Sequence, residues 1–415
     1  MKILIYGINY SPELIGIGKY TGEMAVWFAR EGHSVRVVTA LPYYPEWCIS
    51  ENYKNTYSRM RQDGVSVIRC PLFVPSRPTA LNRLFHLFSF SVSSAFPVLG
   101  SVFWKPDIII QVVPTLFCSL QTLMLSKLSG AKAVVHIQDY EVDAMFGLSM
   151  ARSGIVKHCA YWIEQKILNS FDLVSTISEG MIQRALKKGV SSKKLIFFPN
   201  WSEMDRFTNV KRNTNLLLDL GIDLNKNIIL YSGNMGEKQG LEIVVNVAKK
   251  MQLNTEIHFL MVGEGSAKVK LENLATAASL TNMTFLPLQS DEKFPEFLSL
   301  ATCHLVIQKS GAADAVLPSK LTNILAAGGN AVITADRNTT LGALCLKFNG
   351  IATLVEPEST SALHEGILSA LNMPKFNSIA RQYAQDYLDK NVVLTRFITD
   401  IIQGEKSGLS SDPAN

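Results

Sequence analysis

Residues 228–251 read IILYSGNMGEKQGLEIVVNVAKKM, and this one stretch decides the fold class. Ile228 to Asn234 opens on an apolar run of the kind a strand shows when both faces of its sheet are covered. Leu241 to Met251 reads as a helix. Between them, Gly233 and Gly236 let backbone N–H groups approach an anion, and Lys238 adds a point charge at the helix start. A helix N-terminus disfavours a cation, so a lysine there makes better sense with an anion bound.

The same strand–turn–helix unit repeats in both directions. Downstream come the strands EIHFLMVGEG, MTFLPLQ, CHLVIQK, AVITA and ATLVEP, with VKLENLATAASL as a helix between the first two. Upstream, KILIYGIN, SVRVVTA, VSVIRCP, DIIIQVVP, AVVHIQD, LVSTIS and LIFFPN read as strands, and Gly22 to Glu31 as a helix. Two successive β/α series, of about 200 and 180 residues, predict an α/β chain of two doubly wound domains. The joint falls near Pro199 to Met204, giving domains 1–200 and 201–403 and a disordered tail, 404–415. The last helix, about 376–403, is the element that could pack back on the first domain.

At 415 residues the chain exceeds a single ordinary core, which agrees with two domains. Hydrophobic residues make up 47% and charged residues 18%, a globular composition. The net charge of +5 carries no basic clusters interleaved with aromatics, which argues against a nucleic-acid partner. It suits an anionic substrate or an acidic membrane surface. The six cysteines are scattered with no C-x-x-C pair, as in a reducing cytoplasm. The N-terminus lacks a long apolar core and a cleavage site, so it reads as a first strand. Leu84 to Trp104 holds no Asp, Glu, Lys or Arg, enough length to cross a bilayer, but carries His86, five serines, Gly100 and Pro97. Three readings stay open for it: a span, buried helices, or a partly exposed apolar helix near Arg77 and Arg83 that docks on a membrane.

Ligands of open α/β sheets bind beyond the carboxyl ends of the strands. After the first strand, Gly16 and Gly18 with Lys19 permit close backbone approach. They are not a dinucleotide fingerprint, because Thr21 stands where the third glycine belongs and the second strand ends in Thr39-Ala40. In the second domain, the Gly233–Lys238 turn is joined by Val262-Gly263-Glu264-Gly265, which can admit a base or ribose. Lys309-Ser310-Gly311 follows a further strand. Pro318-Ser319-Lys320 then begins another helix, with Ser319 as the N-cap. Two lysine-headed helices suit a doubly charged diphosphate. In the first domain, His136-Ile137-Gln138-Asp139-Tyr140-Glu141-Val142-Asp143 runs a strand into three acids, which could serve acid/base work, a metal or sugar hydroxyls.

The segments GINYSPELIGIGKYTGEM, HIQDYEVDAM, FFPNWSE, YSGNMGEKQGLE and GAADAVLPSKLTNILAAGGNAVITA resemble the retaining GT-B glycosyltransferases of family 4. Within that group they are most similar to the fucosyltransferase type of colanic acid biosynthesis, over nearly the full chain. The resemblance implies two Rossmann-like domains facing across a cleft, the second holding the nucleotide sugar and the first the acceptor. It implies a hexosyltransferase that moves fucose from GDP-fucose onto a lipid-linked saccharide of an exopolysaccharide, at the cytoplasmic face of the inner membrane. The implied donor contacts are Gly16, Gly18, Lys19, Gly233, Asn234, Gly236, Gly263, Glu264, Gly265, Ser319 and Asn323. Lys238, Lys320 and Asp139 are the implied catalytic groups, and His136, Glu141, Tyr43 and Tyr44 the acceptor contacts. Asn234 stands where the family carries an Arg. Its paired glutamates, spaced E-x7-E, are replaced by Ala315 and Asn323. No D-x-D metal motif occurs in a suitable loop, so neither a metal nor another cofactor is expected. A sugar-nucleotide epimerase of similar architecture and a non-catalytic assembly factor are the alternatives.

Overall fold

The structure, a computed structural model, describes residues 1–13, 16–77, 79–143, 154–208, 210, 213–290, 292–310 and 318–404, apart from the side chains of Ala80 and Ser319. It divides into two compact units, Met1–Phe198 with Leu394–Asn415, and Pro199–Val393. The tail beyond Gly404 lies outside the described residues.

The first unit holds β1 (Lys2–Gly7), β2 (Ser34–Ala40), β3 (Ser58–Gln62), β4 (Val65–Cys70), β5 (Ile108–Val113), β6 (Lys132–Ile137), β7 (Leu173–Thr176) and β8 (Leu195–Phe197). Their order in the sheet is β3-β4-β2-β1-β5-β6-β7-β8, parallel throughout except for β3, which runs antiparallel to β4. Helices cover both faces, so the central strands are largely apolar. All six residues of β5, IIIQVV, are buried. Ile3 of β1 lies between Val35 of β2 and Ile108 of β5.

The second unit holds β9 (Asn227–Ser232), β10 (Ile257–Val262), β11 (Met283–Leu286), β12 (Cys303–Val306), β13 (Ala331–Thr334) and β14 (Thr353–Val355), ordered β11-β10-β9-β12-β13-β14 and all parallel. In both units the third, second, first and fourth parallel strands lie side by side in that order. The winding therefore reverses between β1 and β5, and again between β9 and β12. A reversal opens a crevice at the carboxyl end of the sheet, because the two loops there lead to helices on opposite faces.

The structure corrects three local expectations. The first helix spans Gly16–Arg30 and so starts six residues before Gly22. Glycines are poor helix formers, and here tertiary packing overrides that propensity, since Gly18 and Gly22 lie against the Ser11–Glu13 loop. The helix after β9 starts at Glu242, with Gly240 at φ +66° interrupting the chain before it, so Lys238 sits in the preceding turn. The stretch 376–403 forms two helices, Ser378–Tyr387 and Lys390–Gln403. Only from Leu394 does the chain join the first unit. There Phe397 stacks on Phe198 at 3.6 Å, and Ile401 O accepts from Lys132 Nζ at 2.6 Å.

The apolar stretch forms the helix Ala80–Gly100, with one face on the sheet and the other in solvent. His86, Phe90, Ser94 and Val98 are buried, and Tyr6 Oη meets Ser94 Oγ at 2.6 Å. Leu81, Phe85, Phe88, Val92 and Phe96 are exposed, Phe96 at 81%. Leu81–Trp104 is long and apolar enough to cross a membrane by length and composition alone, and 33% of its 18-residue apolar window is buried in the protein.

Candidate active site

In the second unit, the loops that leave β9 and β10 are closed against each other. Gly233 N donates to Val262 O at 2.9 Å and Met235 N to Glu264 O at 2.8 Å. Gly233, Gly263 and Gly265 have φ of +135°, +153° and +153°, a region that other residues rarely enter. A Cβ on Gly263 would lie 1.9 Å from Gly233 O, and one on Gly265 2.5 Å from Met235 O. These two glycines are therefore required by loop packing whether or not a ligand is present. Gly236 N donates to Gln239 Oε1 at 3.1 Å. Asn234 is exposed, and its backbone oxygen accepts from Tyr231 Oη at 2.6 Å.

Lys320 reaches this turn from the helix Ser319–Ala326. Its Nζ donates to Tyr231 Oη at 3.2 Å and lies 4.3 Å from that ring's centre. A Cβ on Gly233 would sit 3.6 Å from the same Nζ. Among the described residues no carboxylate pairs with it, and burial lowers the ammonium's pKa to about 8. Lys238 is exposed in the turn that follows β9, and its backbone oxygen accepts from Lys309 N at 3.3 Å. Lys309 follows β12, with its side chain where a Cβ on Gly240 would stand. Three ammonium-bearing residues thus converge on the β9–β12 reversal.

The other donor-side residues divide. Glu264 is exposed and paired with Lys268 at 2.7 Å. Asn323 accepts from Ser202 Oγ at 2.9 Å. Pro318, not Ser319, is the N-cap, and it makes no side-chain capping bond. Gly311 and Ala315 lie outside the described residues.

In the first unit, Asp139 stands past the end of β6, exposed, its carboxyl raised by partial burial and by the charge of Asp143. His136 does not reach a ligand. It is 2% exposed, its Nδ1 meets Ser175 Oγ at 3.0 Å, and its Nε2 meets Gln138 Nε2 at 3.0 Å. With Phe198 at 4.8 Å, it is a neutral core residue whose pKa burial lowers to about 3. Glu141 is 8% exposed, accepts from Leu116 N at 2.9 Å and is pushed up to about 7 by burial. Tyr43 is buried against Trp47 and His86, whereas Tyr44 is exposed. Gly16, at φ +63°, has open space around it. Gly18 does not, because its missing side chain leaves room for Glu13. Lys19 lies 3.9 Å from Glu23. Among the described residues, no group of three His, Cys, Asp or Glu side chains is placed to hold a metal.

Residues 16–201 match the glycosyl transferase 4-like domain, and residues 215–387 match the glycosyl transferases group 1 family. A relative from Escherichia coli (strain K12), provisionally named colanic acid biosynthesis glycosyl transferase WcaI, is 55% identical over 406 residues, 97% of this chain and all of that one. The chain belongs to this glycosyltransferase family. Its fold is GT-B, shared with sucrose-phosphate synthase from Thermosynechococcus elongatus (TM-score 0.69, 14% identity, 97% of this chain and 98% of that one). It is shared too with Anabaena Alr3699/HepE in complex with UDP and glucose (TM-score 0.67, 14% identity, 97% and 99%). The chain is thus a nucleotide-sugar-dependent glycosyltransferase.

Sequence reasoning gave no role to four residues at or beside the strand ends of this glycosyltransferase: Glu13, Arg69, Tyr231 and Lys309. Tyr231 and Lys309 stand inside stretches that were read, yet nothing in the sequence set them apart there. Arg69, 1% exposed in the mainly apolar strand VSVIRC, was the strongest unused signal, since a buried cation demands partners. Its guanidinium donates to the backbone oxygens of Ser11 and Ala40.

Proposed function

We propose that this glycosyltransferase transfers fucose from GDP-fucose onto a lipid-linked saccharide in biosynthesis of a colanic acid-type exopolysaccharide, with retention at the anomeric carbon. The single observation behind the donor site is Lys320, seated against Tyr231 and Gly233 at the carboxyl end of β9. Breaking a sugar–phosphate bond builds negative charge on the departing diphosphate. A pre-positioned ammonium stabilises that charge more in the transition state than in the ground state. Lys238 adds a mobile charge, and the N–H groups of the Gly233–Gly236 turn add directional donors. Within the first domain, the resemblance makes Gly16 and Lys19 donor contacts, Asp139 the group that orients the sugar or acceptor, and Tyr44 and Glu141 acceptor contacts. The choice of fucose and of colanic acid rests on the sequence resemblance and on the E. coli relative's name. No metal takes part in this reading, because the lysines and backbone donors carry the diphosphate charge.

A lipid-linked acceptor places the enzyme at the cytoplasmic face of the inner membrane as a peripheral protein. The exposed row Leu81, Phe85, Phe88, Val92 and Phe96 supports that placement, with Arg77 and Arg83 close by to meet acidic headgroups. A panel of nucleotide sugars, ranked by thermal shift and followed by product mass with a lipid-linked saccharide acceptor, tests the reading. GDP-fucose should give an acceptor one deoxyhexose heavier. Product formed without any acceptor would replace the reading with an epimerase.

A further inference from the structure

The loop after β1 is tied to the loop after β2 through one buried carboxylate. Glu13 is 6% exposed. Its Oε2 accepts from Asn9 Nδ2 at 2.9 Å, and its Oε1 accepts from Tyr44 N at 3.3 Å. Asn9 Nδ2 in turn approaches Tyr43 Oη at 3.4 Å. On its other side the carboxylate fills the space left by Gly18. A Cβ on Gly18 would fall 2.4 Å from Glu13 Oε2 and 2.7 Å from Glu13 Cβ. Gly18 lies within the helix Gly16–Arg30, where its backbone places no demand for glycine. The demand comes from Glu13. Gly16, two residues earlier, is the glycine with open space around it and φ +63°. Arg69 holds the same two loops from below by their backbone oxygens, at Ser11 and Ala40.

A glutamine or a methyl group would have served a merely structural need more cheaply, since a carboxylate sheds its water on burial. Burial pushes the Glu13 carboxyl up to about 7, against the hydrogen bonds from Asn9 and Tyr44 that favour ionisation. A group kept at such local cost in a strand-end loop marks a functional demand.

We propose that Glu13 is a positioning residue that holds the Gly16–Lys19 turn and the Tyr43–Tyr44 loop in one fixed relation for sugar transfer. The inference rests on the reading that these two segments touch the reactants. Glu13 itself touches neither.

The test is a double-mutant cycle in the full chain with Glu13→Ala, Gly18→Ala and the pair together. Glu13→Ala frees both loops. Gly18→Ala displaces the carboxylate while leaving it in the sequence. Each single variant should lower kcat at saturating substrates at least tenfold, with the melting temperature little changed in Glu13→Ala and lowered in Gly18→Ala, whose new methyl group overlaps Glu13 Cβ. Amide exchange should rise in the peptides covering Asn9–Tyr20 and Leu41–Trp47 together. In the double variant the two loops are already untied by Glu13→Ala, so Gly18→Ala should lower kcat no further, although the Cβ kept at position 13 still crowds the new methyl group. Additive losses, or exchange unchanged in either loop of Glu13→Ala, would overturn the inference. The exchange arm needs no substrate. If the wild-type enzyme transfers no sugar, the proposed function fails, while the exchange data still decide whether Glu13 ties the loops.

Discussion

Replacing Lys320 by methionine should make the protein more stable and nearly inactive. In the fold, burial takes this ammonium from 10.5 to about 8. That difference corresponds to about 3 kcal/mol against the charged form at pH 7. The folded-state pKa lies below the unfolded one, so the cost is present in full below pH 8. It disappears as pH rises from 8 towards 10.5, where the unfolded chain still binds a proton that the fold has released. Methionine keeps the apolar stem and removes the charge. Against this gain stands the lost contact with the Tyr231 ring at 4.3 Å, about 1–2 kcal/mol, and a phenol that loses one of two hydrogen bonds, keeping the one it donates to Asn234 O. The net expectation for Lys320→Met is about 1 kcal/mol of added stability at pH 7, read from urea unfolding, and none at pH 10.5. Loss of the charge facing the departing diphosphate should cost about 3 kcal/mol of transition-state stabilisation, roughly a hundredfold in turnover. Wild-type turnover in this variant, or a fold weakened by more than about 1 kcal/mol at pH 7 with no change at pH 10.5, would refute the reasoning.

Gly263→Ala places a methyl group on the peptide of Gly233, so it should cost at least about 2–3 kcal/mol and lower the urea midpoint, with donor affinity falling alongside. Truncating Phe397, 1% exposed and stacked on Phe198, should cost about 3–4 kcal/mol, visible as a lower melting temperature. Anionic vesicles should sediment the wild-type protein, and Phe88→Asp with Phe96→Asp should weaken that several-fold. Unchanged sedimentation would remove the membrane placement. Exhaustive chelation with EDTA should leave transfer within twofold of its starting rate; a loss restored by magnesium would contradict metal-independent chemistry.

The alternation of buried strands and helices was plain in the sequence because a parallel sheet covered on both faces writes itself as apolar runs with few polar breaks, as in IIIQVV of β5. β3 left no such trace. All five of its residues, SRMRQ, are exposed, and what announces it is the Asp63-Gly64 turn, with φ of +50° and +83°, that folds it back on β4. Lys320 was legible from its place after Pro318. Its seat was not, because Tyr231 lies 89 residues away. The glycines show the same limit. Gly18 and Gly263 read locally as openings for a ligand, yet one makes room for Glu13 and the other for a backbone carbonyl. His136 likewise read as a strand-end ligand group, whereas Ser175, 39 residues on, and Phe198 enclose it in the core. Sequence spacing locates a strand end. Which side chains turn inward there depends on strands that are neighbours only in space.

The central claim is that a nucleoside diphosphate binds at the carboxyl end of β9, held by Lys238 and Lys320. Calorimetric titration of GDP into the wild-type chain and into Lys238→Ala/Lys320→Met tests it directly. The account predicts a single saturable site in the wild type and at least about hundredfold weaker binding in the double variant. Equal affinity in the two proteins would contradict it.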